Sequence, residues 1–250
     1  MSNEDRFEQE RTEAYQTEHY IFHYVAGSLA EKDVERIAEV QEKAFAKICD
    51  ALNVTYPERI HYYFSDSPQE VGDVIFDGMP CNGCAICGEN KIYAVYNEEI
   101  KCIGPHEDTH LISFYLRNSS FPKADFFVEG LAVYFDGEWW GVPNEAWTAY
   151  YKTKYTDLFV KRLLDNDVFQ KYNCAVTYPI AGAFTKFLID TCGMDRYLEL
   201  YQHEGSDYEE IVRSIYQISL SEVEQSFWES VSETVFDAPA LDEMLKSEGI

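Results

Sequence analysis

The apolar positions change their period along the chain. Residues 19–25, HYIFHYV, and 59–65, RIHYYFS, are dense in aromatic and β-branched side chains and predict two strands. Between them, residues 28–53 open on Ser28 and carry apolar residues at Val34, Ile37, Ala38, Ala44, Phe45 and Ile48, the spacing of an amphipathic helix. A Gly/Cys-rich stretch, DGMPCNGCAICGEN, then runs into the strand-like KIYAVYN at 91–97. Two helices are expected next, starting at Pro105 and Pro122, because a missing N–H does least harm in a helix's first turn. FDGEWWGVPNEAW breaks the pattern with Gly137, Gly141 and Pro143, which places a lobe boundary at 141/142. Beyond it helical periodicity dominates, in the segments 145–165, 180–192, 194–202, 207–217 and 219–233. The last opens on a capping box formed by Ser219 and Glu222 or by Ser221 and Glu224. The fold class is therefore α+β: residues 1–141 mix helix and strand, and residues 142–250 are mainly helical.

Composition narrows the partners. A 46% hydrophobic, 16% aromatic chain of 250 residues can fill a core without staples. Its formal charge of −25 repels nucleic acid and anionic membrane surfaces, so neither is an expected partner. The charged opening, MSNEDRFEQERTEAYQTEHY, lacks the apolar stretch of a secretory signal, and no apolar run approaches the roughly 18 residues of a membrane span. A cytoplasmic protein is expected. Seven cysteines, an odd number, then argue for reduced thiols rather than a disulfide framework.

The chemistry concentrates in IGPHEDTHLISF, residues 103–114. His106 and His110 lie one helical turn apart on one face, a spacing at which two imidazoles grip a single zinc ion at about 2.0–2.1 Å. Glu107 follows the first histidine, where it can take a proton from water activated by the metal. Two solvated histidines on an exposed helix would show the same spacing, so the third ligand matters. Beyond His110 and eighteen intervening residues, Glu129 stands among Phe126, Phe127, Val128, Leu131, Ala132 and Val133, an unfavourable place for a carboxylate with no cation beside it.

His106-Glu107-x-x-His110, followed after eighteen residues by Glu129-Gly130-Leu131-Ala132-Val133-Tyr134, resembles the gluzincin zinc peptidases with an aminopeptidase-like (peptidase MA-like) catalytic domain. TYPIAGAFTKFLIDTCG and DYEEIVRSIYQISLSEVEQSFW are similar, at the level of pattern, to that family's helical C-terminal segment. The resemblance implies a zincin-like first lobe with a small mixed sheet and the active-site helices, and a helical second lobe closing the cleft. It implies one Zn2+ per chain held by His106, His110 and Glu129, Glu107 as general base, and a peptide or protein substrate. Tyr178 holds a place similar to the family's oxyanion-steadying tyrosine, with a core or surface role as the alternative. Three departures stand out. Asp108 replaces an apolar residue, which suggests a more exposed helix; Ala132 stands where an acidic residue would orient a histidine; and the Gly-Ala-Met-Glu-Asn motif of the large aminopeptidases is missing, so amino-terminal trimming does not transfer.

Cys81, Cys84 and Cys87 share a C-x-x-C-x-x-C spacing that would suit a second metal or redox cluster, against the plainer reading of a loop or edge strand with small side chains. His19 and His23 read as ordinary sheet positions, and His61 and His203 show no partner in the sequence. Two further functions compete with a peptidase: a non-catalytic metal-binding or peptide-binding relative, and a cysteine-based sensor.

Overall fold

In a computed structural model, which describes residues 2–75 and 77–250, the chain forms two compact units, Met1–Ser120 and Phe121–Ile250. The first unit contains α1 (Asn3–Glu10), β1 (Glu13–Gln16), β2 (Tyr20–Tyr24), α2 (Leu29–Leu52), β3 (Ile60–Ser65), α3 (Pro68–Ile75), β4 (Gly83–Ile86), β5 (Lys91–Val95) and α4 (Pro105–Leu116). Its strands form one mixed sheet in the order β1-β2-β3-β5-β4. The three central strands run parallel, and β1 and β4 pair antiparallel at the edges. A parallel β2–β3 pair needs a long crossover, which the 24-residue α2 supplies. Ser28 Oγ accepts the Glu31 N–H at the start of that helix, and Asn53 ends it in a left-handed conformation.

Strand alternation gives the sheet two buried faces. On one, Tyr20 packs edge-on to Phe45 of α2 and stacks with Phe22, while Tyr62 and Phe64 continue the aromatic row. On the other, Tyr63, Tyr93 and Val95 pack with Phe7 of α1 and Val71 of α3. Helices α1 and α3 and strands β1 and β4 are short elements beyond those read from the periodicity.

The second unit contains α5 (Asp125–Asp136), the two-stranded hairpin β6 (Glu138–Trp139) and β7 (Val142–Pro143), α6 (Asn144–Lys154), α7 (Val160–Leu163), α8 (Asn166–Phe169), α9 (Cys174–Cys192), α10 (Met194–Tyr201), α11 (Tyr208–Tyr216), α12 (Leu220–Val231) and α13 (Ala238–Ser247). The Gly/Pro stretch expected to separate two lobes is the β6–β7 hairpin inside this unit. Helix α9 starts six residues before the expected 180. Asn173 caps it by accepting the Ala175 N–H, and Pro179 in its second turn forfeits a single backbone hydrogen bond. Of the two capping boxes, the real one is Ser219–Glu222: Ser219 Oγ accepts the Glu222 N–H, and Glu222 accepts the Ser219 N–H. Glu224 is instead buried, accepting the Val160 N–H at the start of α7 and the indole N–H of Trp228. Among the described residues no helix is long and apolar enough to cross a membrane.

Candidate metal centre

Helix α4 is held at its first turn. Gly104 precedes it at φ +123°, a conformation side chains rarely adopt, and Pro105 fills the first helical position. The amide of Gln41, on α2, grips Gly104 from both sides: its oxygen accepts the Gly104 N–H at 2.6 Å, and its nitrogen donates to the Gly104 carbonyl at 3.1 Å. The same nitrogen donates at 3.0 Å to Asp108, which also accepts the Tyr20 hydroxyl. A polar residue inside α2's apolar stripe was the sequence signal for this clamp, because Gln41 falls at helical spacing between Ala38 and Ala44 and is fully buried.

Asp108 corrects one expectation. The residue is fully buried, so its polarity does not mark an exposed helix. Burial holds its carboxyl well above the ordinary range, while the hydrogen bonds from Tyr20 and Gln41 partly oppose that rise. One turn of helix thus directs His106 and His110 one way and a buried Asp108 into the core.

The rings of His106 and His110 lie 5.0 Å apart at 83° to each other. A ring nitrogen from each and a carboxylate oxygen of Glu129 all lie within 4.8 Å of one another. Donors arranged tetrahedrally about one first-row ion at about 2.0–2.2 Å stand roughly 3.3–3.6 Å apart, so three donors within 4.8 Å of one another are close enough for side-chain adjustment to bring them onto a single ion. Two imidazoles and one carboxylate also match a site that leaves a coordination position open. The residues present therefore fit a bound metal.

Glu107 faces the sheet edge. A Cβ built on Gly83, in edge strand β4, would stand 2.9 Å from Glu107 Oε1 and 2.4 Å from Cys102 Sγ. Glycine at 83 is what leaves room for the glutamate. Glu129 sits in the middle of α5, whose next residue, Gly130, makes the helix crossing possible: a Cβ there would meet the Ala181 carbonyl oxygen at 2.9 Å and Thr185 Oγ1 at 2.7 Å. Tyr178, on α9, stacks on Phe169 and meets Trp139 edge-on, and it lines the same cavity as Glu129.

The cysteine run does not gather. Cys84 pairs with Tyr93 in the β4–β5 register, whereas Cys81 precedes the strand and Cys87 lies in the turn that follows it. Among the described residues the three thiols belong to no group of three donors within 4.8 Å. Burial, and secondarily the charge of Glu107, pushes the Cys87 thiol up to about 12 and raises Cys81 as well.

The other histidines have partners that the sequence did not reveal. His23 Nε2 and His61 Nδ1 share a hydrogen bond of 3.1 Å on one face of the β2–β3 pair, with the rings stacked. His19 precedes β2 rather than joining it; its Nδ1 bonds Glu42 at 2.6 Å and its ring stacks on Phe45. His203 Nδ1 accepts the Gly205 N–H. Comparison with known proteins adds no name to this site: the chain matches no protein-family model and no curated protein.

Proposed function

We propose that the protein is a zinc-dependent peptidase with a zincin-like first unit, hydrolysing peptide bonds in the manner of gluzincins. The observation that carries this reading is the convergence of His106, His110 and Glu129 on one point, with Glu107 beside the first of them in α4. Their chemistry favours zinc, a borderline ion that takes imidazole and carboxylate together. When bound, the ion supplies Lewis acidity toward a carbonyl and lowers the pKa of water. Glu107 accepts the proton of the attacking water and passes it to the leaving amine nitrogen, a route that needs a mobile carboxylate rather than a fourth metal ligand. The Tyr178 hydroxyl donates to the oxyanion of the tetrahedral intermediate, in keeping with its place on the wall of the cavity that Glu129 lines.

Metal content by elemental mass spectrometry tests the centre directly. About one zinc per chain is expected, lost in Glu129→Ala and retained in Glu107→Gln. Against a mixed peptide library, Glu107→Gln is expected to lower turnover by roughly a thousandfold or more, and Tyr178→Phe by about a hundredfold, both with zinc unchanged. Zinc that survives Glu129→Ala, or turnover that survives Glu107→Gln, would sink the proposal.

A further inference from the structure

The second unit holds a cavity of about 290 Å³ whose lining has one sign of charge. Asp125 and Glu129 face it from α5, four residues apart and so on one side of that helix. The aromatic residues Phe169, Tyr172 and Tyr178 form other parts of the wall, and among the described residues no lysine or arginine lines the cavity. The volume is at the small end for ligand sites and suits a single side chain rather than a whole cofactor.

Asp125 is held in place by two neighbours. Its backbone N–H donates to Asn166 Oδ1 at 2.9 Å, which fixes the first turn of α5. Gln170 Nε2 donates to its Oδ2 at 2.8 Å, while the other carboxylate oxygen takes no hydrogen bond among the described residues. Asp125 also has no ion pair with a lysine or arginine among those residues. A second metal is a poor occupant, because Asp125, Glu129 and the exposed Cys174 do not form a three-donor group within 4.8 Å. A carboxylate beside aromatic faces instead suits a planar cation, which can pair with the first and stack on the second.

We propose that this cavity is a specificity pocket for a basic side chain of the substrate, with a guanidinium as its best occupant and Asp125 as the residue that selects it. The pocket's place beside the scissile bond rests on the peptidase reading, since Glu129 serves both the metal and the pocket wall. Its preference for a cation rests on the lining alone. The net charge of −25 acts in the same direction by drawing basic peptides toward the chain.

The test separates the two ideas. Argininamide and citrullinamide, near-isosteres that differ in charge, are titrated calorimetrically into the full chain after chelation of metal. Argininamide is expected to bind at least tenfold more tightly. Asp125→Asn, which keeps an acceptor for Gln170, is expected to reduce that advantage about tenfold. Equal binding of the two amides by the wild type would overturn the pocket without need of any variant, as would an Asp125→Asn protein that still favours argininamide in full. Zinc-loaded enzyme is then assayed on paired peptides carrying arginine or citrulline, where the same ratio is expected in kcat/KM. Selective binding with no cleavage of either peptide would leave the guanidinium site standing and remove the peptidase reading.

Discussion

Helix α4 in the first unit and helix α5 in the second are each twelve residues long and each begins without a side-chain cap, yet different forces hold them. Helix α4 is tied by buried polar groups: Gln41 clasps Gly104, and Gln41 and Tyr20 converge on Asp108. Helix α5, beyond the Asp125 N–H bond to Asn166 at its first turn, is tied by shape. Gly130 admits the backbone of α9, Gly182 of α9 makes room for Val133, and Phe126 meets Phe127, Phe169 and Phe184 edge-on. A hydrogen-bonded clamp fixes direction but leaves unsatisfied groups when one partner goes; a close-packed crossing tolerates lost polarity but not added volume. The pair of histidines and the glutamate are thus positioned by mechanisms with different weaknesses.

The largest effect is expected from breaking the clamp. Gln41→Ala strands the N–H and carbonyl of Gly104 and removes one donor to the buried Asp108, which together cost about 3–4 kcal/mol. In a chain of this size that lowers the Tm of the first unit by about 10 °C in calorimetry. Asp108→Asn in the same background should restore part of the loss, because a buried group with a raised pKa no longer has to stay protonated. A change under about 2 °C would show that α4 is held by packing after all. Gly130→Ala applies the opposite stress to α5. Its new methyl group meets backbone at Ala181, so the helices must part, at about 2 kcal/mol and about 6 °C. Zinc content should fall in step, because Glu129 is the neighbouring residue. A neutral result would mean that the α5–α9 crossing has slack that the close Cβ position conceals.

The two mechanisms also differed in how far the sequence revealed them. The apolar stripe of α2, Ser28 at its start and Pro105 at the head of α4 are local patterns, and local hydrogen bonding made them readable. His106, His110 and Glu129 were readable because the first two share a helix and the third sits improbably among apolar neighbours. Asp108 was misread, since helical spacing shows which residues share a face but not which face the core covers. The Cys81, Cys84 and Cys87 spacing allowed a cluster or a plain loop or edge strand; in the structure only Cys84 lies in β4, with Cys81 before the strand and Cys87 in the turn after it. Helix α9 begins at Cys174 rather than at the expected 180, because Asn173 caps it and Pro179 is tolerated within its second turn. The His23–His61 contact depends on a parallel register between strands joined by a 24-residue helix, which no local pattern encodes.

That histidine pair gives the last way to separate the units, through acid. Burial, aided by the neighbouring His61, lowers the pKa of His23 from 6.5 to about 4, while Glu8 pulls weakly the other way; burial also lowers His61. With a folded pKa below the unfolded one, the folded chain binds fewer protons between those values. The stabilisation from neutral His23 is therefore complete above pH 6.5 and is lost as the pH falls toward 4. Doubly protonated, the two rings would face each other with donors only across a contact that now needs one acceptor. His23 is partly exposed, which screens the effect to about 1 kcal/mol, or about 3 °C in Tm. Calorimetry of the wild type from pH 7 to pH 4.5 should show the transition of the sheet-containing unit falling faster than that of the helical unit. His23→Gln, which cannot gain the charge, should remove about 3 °C of that difference. Equal slopes for wild type and variant would move the acid sensitivity of the first unit from this pair to its paired carboxylates, of which Glu8 and Glu42 have pKa values lowered by their hydrogen-bond partners.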